Sequence, residues 1–314
     1  MSDILITIGI TCFNAEDTIE RAISGALSQS WKNIEILVVD DASTDSSRKK
    51  VQRFNKKDDR VKLLKRNVNG GPAAARNTIL KASQGKYIVF FDDDDESLPD
   101  RLMVQYARLS KYEKNYPQVP VCCYASGKRR YPNGYQLPMP AIGSQPKVPV
   151  GHAIVDYLLF NGRHDDVFYG AGIPTCALML RRSVLDQFKG FDENLRRVED
   201  ADLAIRIGLS GGHFIGCEEE LFIQYATIAS DKTPQKNLDS ELMIVEKFSS
   251  YLTKKNIFLY AKYWKLLRYY HFRKNHFKFL LVLLKIFMLY PKRTTTHLLS
   301  SAPKRWRHER NMEK

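Results

Sequence analysis

The sequence predicts an α/β fold in which a mostly parallel central sheet is flanked by helices and followed by a helical C-terminal region. Two observations support this fold class. Short apolar strands alternate with helical segments through about the first hundred residues, as in parallel sheets built from βαβ units. Polar clusters follow several of these strands, at the place where open parallel sheets bind ligands.

The first two strand–helix units both lead into polar residues. Residues 4–11 form an apolar, β-branched strand, and residues 11–14 form the polar turn that follows it. A helix begins near Ile19, because apolar residues recur from there at i, i+3, i+4 and i+7. The second strand, residues 34–39, is almost continuously apolar and runs into Asp41 and its acidic neighbour. Both polar clusters are therefore expected at the same edge of the sheet.

The third and fourth strands enclose a helix and lead into an acidic cluster. Residues 61–64 form a weaker strand, and the turn at 70–72 opens a helix that carries Arg76. The fourth strand, residues 86–91, runs directly into four aspartates at 92–95. By themselves these aspartates have two interpretations. They cap the following helix, or their oxygens bind a hard divalent cation.

Two absent motifs narrow the possible functions. No GxGxxG follows the first strand, and no GxxxxGK[ST] occurs in the sequence. This argues against a dinucleotide-dependent oxidoreductase and against a P-loop phosphotransferase. Because the acidic cluster lies at a strand end like the other polar clusters, a ligand crevice is the better interpretation.

The second half of the chain is less regular. Residues 117–149 are rich in proline and are interpreted as a lid or binding loop. Residues 169–182 indicate a turn, an apolar strand and the start of a helix. Glu199 and Asp200 open a further helix. Two acids at a helix start are commonly only partners of the helix dipole, so their function depends on the rest of the site.

Together these motifs resemble those of the family 2 glycosyltransferases, which have the GT-A fold. The resemblance extends over residues 4–225, with the motifs in the correct order. Cys12 departs mildly from the family pattern, in which a small or polar residue is usual. The matching segments are residues 10–14, 26–30, 36–45, 71–77, 91–95, 99–102, 180–182, 190–193 and 199–203.

The resemblance implies a nucleotide-sugar site of UDP type. In it, Asp41 accepts a hydrogen bond from the uracil ring, and Thr11 and Phe13 help to hold that ring. Arg76 lies beside the nucleotide. The residues assigned to nucleotide-sugar binding are Thr11, Cys12, Phe13, Asn14, Asp41, Arg76, Asp92 and Asp93.

The resemblance also implies a metal site and a catalytic base. Asp92 and Asp94 would hold Mn2+ or Mg2+, with Asp94 the best candidate for direct contact. The helix-cap interpretation then remains for Asp95 alone, which is expected to face the following helix. Asp200 would be the base that takes the acceptor hydroxyl's proton, with Glu199 in reserve. Attack from the face opposite the leaving diphosphate predicts inversion at the anomeric carbon.

The C-terminal region differs sharply in charge from the rest of the chain. Residues 247–314 contain 17 Lys and Arg against two Asp and Glu, a net charge of +15, whereas residues 1–246 carry 32 against 33, or −1. Aromatic and basic residues on apolar helices favour an anionic membrane surface, which residues 256–310 are predicted to contact. Nucleic acid is not expected because no binding motif is present, and packing of these helices on the catalytic domain is the plainer alternative.

The sequence therefore predicts an inverting, metal-dependent glycosyltransferase of bacterial surface polysaccharide synthesis. Residues 1–225 would form the GT-A domain, with 1–115 binding the nucleotide sugar and 116–225 the glycan or lipid-linked acceptor. Residues 226–314 would form the membrane-associating region. The absence of a signal-peptide pattern leads us to expect a cytoplasmic protein, peripheral to the inner face of the membrane. Two alternatives are a sugar-phosphate nucleotidyltransferase and a non-catalytic membrane- or nucleic-acid-binding protein; the oligomeric state is open.

Overall fold

The computed structural model describes residues 4–226 and 233–312, except for the side chains of 302–304 and 307–308. These residues divide into two compact units. The first unit takes its residues from 1–130, 136–155 and 164–227, and the second from 131–135, 156–163 and 228–314. The predicted boundary between residues 225 and 226 stays a prediction, and residues 227–232 and 313–314 of the predicted C-terminal region lie outside the described residues.

The first unit contains one mixed sheet of nine described strands. Its order is β3-β2-β1-β4-β8-β6-β9-β5, and β7 pairs with β6. The strands are β1 (Ile6–Cys12), β2 (Ile34–Asp40), β3 (Val61–Lys65), β4 (Tyr87–Asp92), β5 (Glu96–Ser97), β6 (Val121–Arg130), β7 (Gln136–Met139), β8 (Leu178–Arg181) and β9 (His213–Tyr225).

The first four strands are parallel, as the alternation of strands and helices predicts. β8 then runs antiparallel to both β4 and β6, while β9 is parallel to β6. Every residue of β2 is buried, which explains why its sequence is apolar except at Glu35 and Asp40. The predicted α/β fold class is confirmed.

Helices cover this sheet. On the first of them, Ile19, Ala22, Ile23 and Ala26 are buried, so the predicted apolar face is the face that packs. The helices are α1 (Ile19–Leu27), α2 (Ser47–Lys57), α3 (Gly71–Ala82), α4 (Arg101–Asn115), α5 (His152–Phe160), α6 (Arg182–Gln187) and α7 (Glu199–Leu209); α5 has residues in both units.

The second unit is helical, as predicted for the C-terminal region. In its core Trp264 stacks on His297 with the ring centroids 3.6 Å apart, and Tyr260 Oη lies 2.7 Å from His297 Nδ1. Burial lowers the pKa of His297 to about 4, so this histidine is a neutral packing residue. The helices are α8 (Pro234–Lys247), α9 (Ser249–Lys254), α10 (Phe258–Phe272), α11 (His276–Leu289) and α12 (Pro291–Met312).

Among residues 4–226 and 233–312, no helix combines the length and the apolar character needed to cross a bilayer.

Candidate active site

Parallel pairing brings the predicted binding residues of the first strands to one edge of the sheet. Thr11 of β1 is in register with Asp92 of β4, and Cys12 is in register with Asp40 of β2. The amide of Asp41 donates to the carbonyl of Cys12 at 2.8 Å. The turn after β1, the end of β2 and the acidic end of β4 therefore adjoin one another, which is the arrangement expected of a ligand crevice.

The Asp41 carboxylate is buried and already accepts three hydrogen bonds. Arg66 Nε and the Gly70 amide donate to Oδ1 at 2.8 and 3.0 Å, and the Gly71 amide donates to Oδ2 at 2.7 Å. Gly71 has φ +81, a conformation that favours glycine because it has no Cβ. A carboxylate has about four lone-pair positions, so Oδ2 retains one acceptor position.

The turn after β1 is tied to its neighbours by main-chain hydrogen bonds. The amide of Phe13 donates to Asp93 Oδ2 at 3.0 Å, while the Phe13 ring stays 47% exposed. Desolvation raises the pKa of Asp93 to about 8, although this hydrogen bond favours its charged form. Asn14 holds the loop after β2, since its side-chain oxygen accepts from the Thr44 amide at 2.9 Å. The exposed Phe13 ring therefore lies beside polar groups that are held in place, and a nucleobase could stack on it.

Arg76 is the cation that connects the end of β4 with the start of α7. It is buried, forms an ion pair with Glu199, and lies 3.8 Å from Asp92 Oδ1. Its guanidinium also lies over the Phe191 ring, 5.5 Å from the centroid. One buried positive charge therefore compensates two carboxylates from distant parts of the chain.

Asp200 lies in the first turn of α7, and the backbone just before this helix has an unusual conformation. Val198, the residue immediately before α7, has φ 59, which is rare for a β-branched side chain and marks local strain. Desolvation raises the pKa of Asp200 to about 7; Glu199 adds to this rise and Arg76 opposes it. Asp200 also lines a small, mostly apolar cavity, with room for about one water molecule, together with Tyr124, Thr175 and Phe191. A carboxyl with a pKa near neutral pH has the properties of a general base.

The acidic cluster has a grouping that the sequence did not predict. Ligand atoms of Asp92, Asp95 and Cys176 lie within 4.8 Å of one another. Desolvation raises the pKa of Asp92, and more strongly that of Asp95, where the neighbouring aspartates add to the effect. Burial also raises the pKa of the Cys176 thiol, so it stays protonated and is unsuited to a hard cation. The two carboxylates fit Mn2+ or Mg2+, which would relieve their mutual repulsion.

Asp94 lies beside this group, and its main-chain carbonyl accepts a hydrogen bond from Arg21. Its assignment as the direct metal ligand stays a prediction. Asp95 was expected to face the next helix; instead it is buried, and its Oδ1 accepts from the Tyr225 amide of β9 at 3.2 Å. Sequence reasoning did not anticipate Arg66, Asp95 or Cys176 at this site, and the acidic run itself was the available signal for Asp95.

The chain matches the protein-family model described as Glycosyl transferase family 2 over residues 7–187. UDP-Glc:alpha-D-GlcNAc-diphosphoundecaprenol beta-1,3-glucosyltransferase WfgD of Escherichia coli is 42% identical over 111 residues, which are 35% of this chain and 43% of WfgD. The match thus spans less than half of that relative. Amylovoran biosynthesis glycosyltransferase AmsB of Erwinia amylovora is 27% identical over 279 residues, 86% of each chain.

Among solved structures, the crystal structure of S. aureus TarS 1-349 in complex with UDP superposes with a TM-score of 0.59. The match covers 92% of this chain and 82% of the TarS chain at 18% identity, and it shows a shared fold. The predicted GT-A-type architecture is confirmed at that level.

Proposed function

We propose that this chain, which belongs to glycosyl transferase family 2, transfers a sugar from a UDP-sugar to a hydroxyl of a glycan or lipid-linked acceptor during bacterial surface polysaccharide synthesis. The observation that supports the proposal most is the position of Arg76, which lies between two groups of carboxylates. On one side is the acidic end of β4, and on the other is Asp200 with a pKa of about 7. A metal-assisted leaving group and a base poised near neutral pH are what this reaction needs.

The donor's base would bind between Asp41 and Phe13. Asp41 Oδ2 accepts one hydrogen bond, from Gly71, and so has room to accept the ring N–H of uracil. The exposed Phe13 ring, which directly follows β1, offers a face for stacking, and Thr11 and Cys12 are the last two residues of β1. The preference for uracil rests on this acceptor and on the family resemblance.

The acidic cluster would hold the divalent cation. Asp92 and Asp94 are the proposed ligands, and Asp95 is the further carboxylate that the fold brings close. A bound Mn2+ or Mg2+ supplies positive charge that stabilises the departing diphosphate. Asp93, fixed by the Phe13 amide, would orient the turn that faces the nucleotide.

Asp200 would act as the base, with Glu199 as the reserve candidate. The Asp200 carboxylate accepts the proton of the acceptor hydroxyl as that oxygen attacks the anomeric carbon, which breaks the bond to the diphosphate oxygen. Glu199 is engaged by Arg76, so it is the weaker candidate for proton transfer. A single displacement from the face opposite the leaving group gives inversion.

The names of the relatives and the charge distribution support the proposed acceptor and cellular location. WfgD is named for a diphosphoundecaprenol-linked acceptor, and AmsB is named for biosynthesis of amylovoran. An acceptor of that kind would be met at a membrane, and the +15 charge of residues 247–314 suits an anionic surface. The protein would then work at the inner face of the cell membrane.

Calorimetric titration with UDP in the presence of Mn2+ tests the donor site. Asp41→Asn should weaken UDP binding at least tenfold, whereas Asp58→Asn, at a surface ion pair with Arg60, should leave it unchanged. Asp94→Ala should remove the dependence of UDP binding on Mn2+. Failure of the wild-type protein to bind UDP while it binds another nucleotide would refute the proposed donor.

A further inference from the structure

The outer face of α11 is an apolar surface that the described fold leaves uncovered. Ile286 is buried and Phe279 is half-buried, so the inner side of this helix packs within the second unit. The opposite side is apolar as well, which is unusual for a surface helix. Its exposed residues are Phe277 (73%), Leu280 (53%), Leu281 (52%), Leu284 (52%), Phe287 (48%) and Met288 (76%).

These six side chains share one face of the helix. At 100° per residue they fall within an arc of about 120°, with Ile286 on the opposite side. We call this surface the α11 apolar face. Scattered exposed leucines need no explanation, but a contiguous apolar face on a helix indicates a surface that binds something.

Positive charge flanks the α11 apolar face along one edge and before the start of the helix. Lys278 and Lys285 lie along one edge, where their ammonium groups are 5.7 and 4.6 Å from the ring centroids of Tyr270 and Tyr263 on α10. Arg273 and Lys274 precede the helix, and all four of these basic side chains are exposed. Residues 247–308 contain 15 Lys and Arg and no Asp or Glu. The partner is therefore expected to be both apolar and anionic.

We propose that the α11 apolar face inserts into the headgroup region of an anionic lipid bilayer, with the flanking basic residues contacting lipid phosphates. A helix that exposes an apolar face with basic residues beside it can bind in this way. A second copy of the chain would fit the apolar face, but it would bring two segments of charge +15 together, which an anionic bilayer would instead neutralise. The inference rests on the proposed function only for the presence of a membrane-borne acceptor.

Flotation with vesicles tests the proposal. The full chain is mixed with vesicles of phosphatidylethanolamine and phosphatidylglycerol, or of phosphatidylcholine alone. We expect binding to the anionic vesicles that weakens as NaCl is raised. The triple variant Leu281→Gln/Leu284→Gln/Met288→Gln should bind at least tenfold more weakly, while Lys278→Gln/Lys285→Gln should lose mainly the preference for anionic lipid.

The matched control is Met243→Gln/Leu259→Gln, which replaces apolar residues of similar exposure on α8 and α10 and should float like the wild type. Thermal melting checks that each variant is folded, as expected for exposed positions. A triple variant that floats like the wild type overturns the proposal. So does a wild-type dimer that the triple variant converts to a monomer without any change in flotation.

Titration with UDP separates this proposal from the proposed function. The triple variant should bind UDP like the wild type, because none of its substitutions lies in the first unit. If the wild type floats but does not bind UDP, the proposed function fails and the membrane surface stands. If it binds UDP but does not float, the membrane surface fails alone.

Discussion

Replacing Asp200 by asparagine should inactivate the enzyme and stabilise the fold. The pKa of this carboxyl is raised from its ordinary 3.8 to about 7, chiefly by desolvation. A raised pKa means that the folded state binds the proton more tightly than the unfolded state does. The stability contributed by that proton is fully present below about pH 4 and is lost as the pH rises to 7.

The magnitude follows from this shift of about three units. At about 1.4 kcal/mol per unit, ionised Asp200 destabilises the folded state by on the order of 4 kcal/mol above pH 7. Asparagine has a similar shape and cannot ionise. The stability difference between Asp200→Asn and the wild type should therefore be small near pH 4, grow between pH 4 and 7, and level off above pH 7.

Urea denaturation at several pH values measures the stability difference, and the rate of UDP release with an acceptor measures activity. Loss of a general base should lower the rate about 10²–10⁴-fold. In the wild type, activity should fall about tenfold per pH unit below 7, since only ionised Asp200 accepts the proton. An asparagine variant that keeps its activity, or whose relative stability does not depend on pH, would refute the reasoning.

Three further predictions concern the surrounding site. Arg76→Met should cost about 3–5 kcal/mol in urea denaturation because it leaves buried Glu199 without its cation, whereas Arg60→Met at the surface should cost less than about 1 kcal/mol. Gly71→Ala should weaken UDP binding, because Gly71 has φ +81 and the added Cβ would lie 3.0 Å from Arg196 Nη1. Gly134→Ala is the control for backbone strain, since Gly134 has φ +83 but its added Cβ would have no neighbour within 4 Å; this variant should bind UDP normally. Mn2+ affinity measured by calorimetry should rise as the pH is raised, with release of protons, since the pKa values of Asp92 and Asp95 are raised. Asp95→Asn should reduce both the Mn2+ affinity and the number of protons released, and an Mn2+ affinity that does not depend on pH would contradict this.

Much of the first unit could be predicted because its signals are local. Apolar strands and helices alternate, and the parallel-sheet rule then places Asp41 and Asp92 at one edge, where β1 lies between β2 and β4. The 13-residue strand β9 was not predicted. Glu218 to Glu220 interrupt its apolar pattern, and its pairing with β6 joins segments far apart in the chain.

The sequence by itself determined the fold class, the family and the residue types of the site. Three contacts of the site were decided by the tertiary structure alone. Arg66 donates a hydrogen bond to Asp41, and Arg76 forms an ion pair with Glu199. Asp95 lies close to Cys176. These contacts join distant segments, and no local period encodes them. The same holds for α11, whose sequence is apolar on nearly all sides. Only packing against its neighbours distinguishes the buried side at Ile286 from the exposed side at Met288.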